Sequence, residues 1–161
     1  MSKQNKKIGI VCSHGGHLED VLTIFQAFKD HKVFLVSYDM PTLKGFQYPG
    51  IEKLYYIKYF GDSVAKIFPS LLLSCLTYLR IFLKERPQII FSTGSEIAIP
   101  AFYIGKFLFG AKLIYLEQFT RVDNSSLTAK CIYWISDLFL VQQESLLSKF
   151  GKKARYAGSI L

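Results

Sequence analysis

The sequence predicts an α/β fold, a doubly wound and mostly parallel sheet carried on a single domain of 161 residues. Three observations predict it. Short apolar runs recur along the chain, and most are continuously apolar, as strands buried on both faces of a parallel sheet are. Helical patterns lie between most of these runs, the alternation that builds such sheets. A tight glycine turn joins the first apolar run to the first helical pattern, where such folds hold anions on a helix N-terminus.

The first strand is expected over Ile8 to Cys12, after a basic flexible tail at residues 1–7 that carries Lys3, Lys6 and Lys7. The turn Ser13-His14-Gly15-Gly16-His17 follows. A helix is expected from His17 to Lys29, with Leu18, Val21, Leu22, Phe25 and Phe28 on one face. The second strand is Val33 to Ser37. The stretch from Tyr38 to Lys53, with Pro41, Gly45, Pro49 and Gly50, reads as an irregular loop. A third strand, Leu54 to Ile57, leads to an apolar helix with basic flanks over residues 62–84. Strands at Ile89 to Phe91, Leu113 to Leu116 and Leu138 to Val141 then alternate with helices at Ile97 to Leu108, Ser126 to Ile135 and Glu144 to Phe150.

Composition sets the outer limits. Half the residues are hydrophobic and 16% are aromatic, so the chain can fill a core and is not of the disordered class. The formal charge of +8 and the pI near 9.4 favour an anionic partner. Cys12, Cys75 and Cys131 are odd in number and widely spaced, which excludes a disulfide framework and a zinc knuckle and reads as buried, reduced thiols. The first apolar run is too short for a signal peptide. No His/Asp/Glu cluster has metal-ligand spacing, so no metal is expected. No nucleic-acid module is recognisable.

In doubly wound sheets the ligand sits beyond the carboxyl ends of the strands. There the sequence places Ser13, His14, Gly15, Gly16 and His17; then Ser92-Thr93-Gly94-Ser95-Glu96; then Glu117, Gln118 and Arg121; then Gln142 and Gln143. Ser13, His14, Gly15, Gly16, Gly94, Ser95, Glu96, Gln118 and Arg121 are the candidate diphosphate and ligand contacts. His17 and Glu117 are the candidate catalytic groups. Each has a second reading. His17 either takes a proton from a sugar hydroxyl or only opens the helix with a hydrogen bond. Glu117 either meets a sugar hydroxyl or orients His17, or else caps local structure. A dinucleotide oxidoreductase is disfavoured, because the third glycine of G-x-G-x-x-G is missing. Walker A and nucleophile-elbow motifs are absent.

The 62–84 helix is apolar on nearly all sides, yet its greasy run falls short of the ~20 residues that span a bilayer. Phe68, Leu72 and Leu76, with Arg80 and Lys84, are expected to touch an anionic membrane or a partner.

Taken in order, Gly15-Gly16-His17, Ser92-Thr93-Gly94-Ser95-Glu96 with Pro100, Tyr115-Leu116-Glu117-Gln118 and the terminal Arg155-Tyr156-Ala157-Gly158-Ser159-Ile160 carry a likeness. The chain resembles the membrane-recruiting, acceptor-side subunit of the two-part UDP-N-acetylglucosamine transferase family, and within it the bacterial capsule and exopolysaccharide branch. The resemblance covers nearly the whole chain. It implies a Rossmann-like domain equivalent to the amino-terminal half of a GT-B glycosyltransferase. It further implies an inverting transfer to a polyprenyl-diphosphate-linked sugar at the cytoplasmic face of the cell membrane. A separate subunit would bind most of the UDP-sugar, the co-substrate, and no cofactor is implied. A non-catalytic module that recruits a complete transferase is the alternative. The family's turn has a glycine and a small residue where Ser13 and His14 stand, so close phosphate contact there is in question.

Overall fold

In a computed structural model, the described backbone comprises residues 5–58, 64–122, 124–156 and 158–160; side chains 64–71 are not described. Among the described residues, seven parallel strands form one sheet in the order β3-β2-β1-β4-β5-β6-β7. They are β1 (Lys7–Val11), β2 (Lys32–Tyr38), β3 (Ile51–Ile57), β4 (Ile89–Ser92), β5 (Lys112–Leu116), β6 (Leu138–Val141) and β7 (Ala154–Tyr156). Every pairing is parallel, so the mostly parallel sheet of the sequence reading is wholly parallel. The helices are α1 (Gly16–Thr23), α2 (Val64–Glu85), α3 (Ala98–Phe109), α4 (Leu127–Ile132) and α5 (Ser145–Phe150).

Side chains alternate across each strand and divide the core in two. Ile8, Ile10, Cys12, Val33, Leu35 and Phe91 face α1. Val11, Phe34, Val36, Ile90, Leu113 and Tyr115 face α2 and α3. Helices on both faces explain why β1 and β2 read as unbroken apolar runs. The edge strand β3 is half exposed and does not.

The structure corrects several boundaries. The helix expected over His17 to Lys29 ends at Thr23 and gives way to a 3₁₀ turn, Phe25–Phe28. The loop expected from Tyr38 to Lys53 contains the end of β2, a 3₁₀ turn at Pro41–Leu43 and the start of β3. α4 is shorter than Ser126 to Ile135, and β7 adds a strand that is too short for periodicity to reveal. Residues 1–4 lie outside the described ones, but Lys6 and Lys7 are not a loose tail. The Lys6 N–H donates to His31 Nδ1, and Lys7 opens β1 and pairs with Glu85. The expected helix at 62–84 is Val64–Glu85, with 62 and 63 outside the described residues. Cys12 is buried, but Cys131 is exposed on α4, contrary to the reading of all three thiols as buried.

In α2 the buried residues Ser74, Tyr78, Ile81, Phe82 and Glu85 recur at helical spacing. Tyr78 donates to the Ile97 carbonyl at 2.8 Å, and Phe82 meets Phe109 edge-on with ring centroids 5.7 Å apart. That face ties α2 to α3. The opposite face carries Leu72, Leu73, Leu76 and Leu83 exposed, flanked by exposed Arg80 and Lys84. Phe68, placed with them by sequence, has no described side chain. Among the described residues no helix is long and apolar enough to cross a membrane.

Candidate functional site

Strand order reverses between β1 and β4, and the crevice at such a switch point is where open α/β sheets bind ligands. The β1–α1 turn and the β4–α3 turn meet there. His17 Nδ1 lies 3.0 Å from the Thr93 carbonyl, and the Thr93 hydroxyl donates to the His17 carbonyl at 2.7 Å. Because a carbonyl only accepts, Nδ1 is the protonated nitrogen. Nε2 of the neutral ring therefore carries the lone pair.

Glycine is required on one side of this contact and eases the approach on the other. A Cβ on Gly94, whose φ is +128°, would lie 2.6 Å from His17 Cε1. A Cβ on Gly16 would lie 2.8 Å from Gln118 Nε2. The glycines thus let the imidazole and the Gln118 amide close against backbone. Gly15 precedes α1 with no side-chain cap, so the first N–H groups of α1 carry no side-chain acceptor, the arrangement that favours an anion.

A cleft of about 480 Å³ opens beside this contact. Its charged and polar walls are His17, Ser95, Glu96, Glu117, Gln118 and Arg121, with α4 closing one side. Six of the expected site residues therefore share one cleft. Gly16 and Gly94 lie behind Gln118 and His17. Ser13, His14 and Gly15 do not line the cleft. Instead, the His14 Nδ1 atom is buried with no hydrogen-bond partner among the described residues. On α1, Glu19 is exposed, and Asp20 is half-buried with its carboxyl pushed up by burial and by the Glu19 charge.

Burial lowers the pKa of His17 below its ordinary value. The Thr93 carbonyl and the Glu96 charge pull it upward, while Arg121 adds to the lowering. The ring is thus held neutral and competent to accept a proton near neutral pH.

The two glutamates of the cleft differ. Glu117 is 1% exposed. The Tyr115 hydroxyl donates to its Oε1 at 3.3 Å, and the Ser126 hydroxyl donates to its Oε2 at 3.1 Å. Ser126 also caps α4 by accepting from Ala129 N–H at 3.1 Å. Burial raises the Glu117 pKa against these hydrogen bonds. Its carboxylate is thus occupied in fixing α4 to β5. Glu96 is half-exposed; its Oε1 accepts a short hydrogen bond from the Tyr38 hydroxyl, and its Oε2 accepts from Ser95 Oγ at 3.0 Å. Ser95 adopts φ 76°, a left-handed conformation uncommon outside glycine.

Sequence reasoning missed Tyr38, Ser126, Ile99, Leu127, Thr128 and Cys131 as neighbours of the site. The i, i+2 spacing of Tyr115 and Glu117 puts both on one strand face and was a signal for their contact. Among the described residues no group of three or more His, Cys, Asp or Glu is placed to hold a metal ion. A larger hollow, about 620 Å³, lies along β3 between Phe46 and Leu54, but it is lined by one carboxylate, one lysine and otherwise uncharged groups. Chemistry rather than size places the candidate site at the switch point.

A family model described as "Oligosaccharide biosynthesis protein Alg14 like" matches residues 48–160. The UDP-N-acetylglucosamine transferase subunit ALG14 of Candida albicans is 33% identical over 102 residues, which is 60% of this chain and 46% of that protein. The corresponding subunit of Schizosaccharomyces pombe is 41% identical over 59 residues, 36% of this chain and 28% of that protein. The chain thus spans less than half the length of the curated relatives it matches. Among solved structures, MurG of Acinetobacter baumannii superposes with a TM-score of 0.76 at 11% identity, over 96% of this chain and 45% of that one. The UDP-GlcNAc 2-epimerase of Methanocaldococcus jannaschii does so with a TM-score of 0.70 at 12% identity, over 95% and 45%. These likenesses establish a Rossmann-like α/β fold similar to the amino-terminal half of the GT-B architecture.

Proposed function

The chain belongs to the Alg14-like family of oligosaccharide biosynthesis proteins, and from that premise we propose that it is the acceptor-side subunit of a heteromeric, inverting glycosyltransferase. It adds a sugar from a UDP-sugar to a polyprenyl-diphosphate-linked acceptor. A separate chain binds most of the UDP-sugar; the word subunit in the names of its relatives supports this. The observation that carries the reading is the cleft at the β1/β4 switch point, where the unengaged Nε2 of His17, the Glu96 carboxylate and the Arg121 guanidinium face one space. A neutral imidazole there removes the proton of the acceptor hydroxyl as it attacks the anomeric carbon. Arg121 and the uncapped start of α1 supply positive potential for the diphosphate.

The outer face of α2 supports docking on an anionic membrane surface, with Leu72, Leu73 and Leu76 entering the interface and Arg80 and Lys84 at the headgroups. The protein would then work as a peripheral component of the cytoplasmic membrane face. Assembly of capsule or exopolysaccharide precursors is the context we propose, on the overall sequence resemblance alone.

A second reading has its own observation. Glu117, one of the two candidate catalytic groups, is occupied by Tyr115 and Ser126, as in a structural module that only recruits a complete transferase. Reconstitution separates the two. Transfer to the lipid acceptor is measured with this chain, with the product of a neighbouring reading frame that carries a UDP-sugar-binding pattern, and with both. Activity only from the pair supports the proposal, and full activity from the neighbour alone contradicts it.

A further inference from the structure

Glu96 is the carboxylate that the cleft holds without neutralising. Its two oxygens accept from Tyr38, at the end of β2, and from Ser95, in the β4–α3 turn. Both donors are uncharged hydroxyls, so they fix the carboxylate's orientation without pairing it with a cation. Tyr38 is 5% exposed and sits on the strand beside β1, whose turn carries His17. Two elements therefore aim one fixed negative charge into the space that His17 faces.

Arg121 enters the same cleft from the loop after β5 and carries the opposite charge. It makes no ion pair among the described residues. Glu117 also lines the cleft, but it is buried, and burial raises its pKa and so disfavours its charged form. His14, Glu19 and Asp20 are the titratable groups nearest His17 on its own turn and helix. His17 Nδ1 is engaged by the Thr93 carbonyl, so a carboxylate can act on the ring only through its field and not through the hydrogen bond of a Ser-His-Asp arrangement.

We propose that Glu96, fixed by Tyr38 and Ser95, is the electrostatic partner of His17, and that Arg121 opposes it until a diphosphate covers the guanidinium. The inference rests on the reading of His17 as the base. Proton removal from the acceptor hydroxyl turns the neutral imidazole into imidazolium, a charge that Glu96 stabilises and Arg121 destabilises. Binding of the diphosphate cancels the Arg121 charge and leaves the Glu96 field in place. The acceptor's own anionic group thus raises the basicity of the residue that deprotonates it, and His17 stays a weak base while the cleft is empty. Glu96 and Tyr38 act as positioning residues. The opposite pulls of Glu96 and Arg121 on the His17 proton agree with this.

The test is an NMR pH titration of the full chain, whose three histidines are few enough to resolve. Glu96→Gln is expected to lower the His17 midpoint by roughly half a pH unit, about a threefold change in imidazolium fraction at fixed pH. The Tyr38→Phe/Ser95→Ala double variant should move it less, in the same direction. Arg121→Gln, at an exposed loop position that the fold does not need, should raise it. Inorganic pyrophosphate should raise the midpoint of the unmodified chain and leave that of Arg121→Gln in place. Glu52→Gln, on the edge strand, should have no effect. An unmoved midpoint in Glu96→Gln, or an equal shift in Glu52→Gln, overturns the proposal; so does a pyrophosphate response that survives Arg121→Gln. Transfer by a His17→Ala complex tests the base reading separately and does not alter the titration result.

Discussion

At the amino ends of the strands, Glu85 lies between two lysines: Lys7 at 2.5 Å and Lys53 at 2.8 Å, with Tyr55 donating as well. On the same edge Asp137, just before β6, accepts from Lys106 at 2.7 Å and from the Leu113 N–H at 2.8 Å. At the carboxyl ends, Glu96 is held by hydroxyls alone, His17 by a carbonyl, and Arg121 by no described ion pair. One end cancels its charges internally and uses them to join β1, β3, α2, α3 and β6. The other leaves its charges uncancelled, with Glu96 fixed in place by Tyr38 and Ser95. Charge that the fold does not neutralise is available to a ligand, and this separates the functional edge of the sheet from the structural one.

The comparison can be broken at either end. The largest expected effect is at the carboxyl edge: His17→Ala should lower sugar transfer by the assembled complex roughly 100-fold or more, while the lost hydrogen bond to Thr93 lowers the melting temperature by only a few degrees. Near-normal transfer would favour the recruiting module instead. Next is Gly94→Ala, which places a Cβ against the imidazole in a backbone conformation that L-residues resist. It should cost about 2 kcal/mol in chemical denaturation and shift the His17 ring resonances; intact resonances would show that the turn has slack.

Glu85→Gln should cost about 1–2 kcal/mol, below the ~3–5 kcal/mol of breaking a fully buried ion pair, because Lys7 and Lys53 can reach solvent. It should leave transfer unaffected. Burial alone would raise the Glu85 pKa, but Lys53, Lys7 and Tyr55 outweigh it and hold it at about 2. A carboxylate depressed in the fold adds stability that is fully present above its ordinary 4.5 and is lost as pH falls toward 2. The acid limb of the stability curve in that window should therefore flatten in Glu85→Gln, and a limb of unchanged slope would place the pH dependence elsewhere. The smallest effect on the fold is expected from Leu72→Ser/Leu76→Ser, at side chains 66% and 58% exposed. Stability should change by less than about 0.5 kcal/mol, while sedimentation with vesicles containing anionic lipid falls. Unchanged sedimentation would move membrane contact away from this face.

The central strands were legible in the sequence because burial on both faces demands continuous apolar runs, as in Ile8 to Val11 and Val33 to Val36. The edge strand β3 was cut short because its exposed residues mix Glu52 and Lys53 with Ile51 and Leu54. The turns that carry His17 and Glu96 were legible because glycine marks a close approach of backbone. Tyr38 was not. It closes an apolar strand, and only the three-dimensional order β2-β1-β4 brings it to Glu96. The pairing of Glu117 with Ser126 was hidden for a similar reason, since the loop between them must fold back before the cap of α4 reaches the end of β5.

The claim that the carboxyl edge is the anion-handling edge is tested most directly by mapping backbone amide shifts on titration with inorganic pyrophosphate. The account predicts perturbations concentrated at Gly15, Gly16, His17, Ser95 and Arg121, and quiet signals at Lys7, Lys53, Lys106 and Lys112. Perturbations spread evenly over the lysines, or centred on the amino ends of the strands, would contradict it.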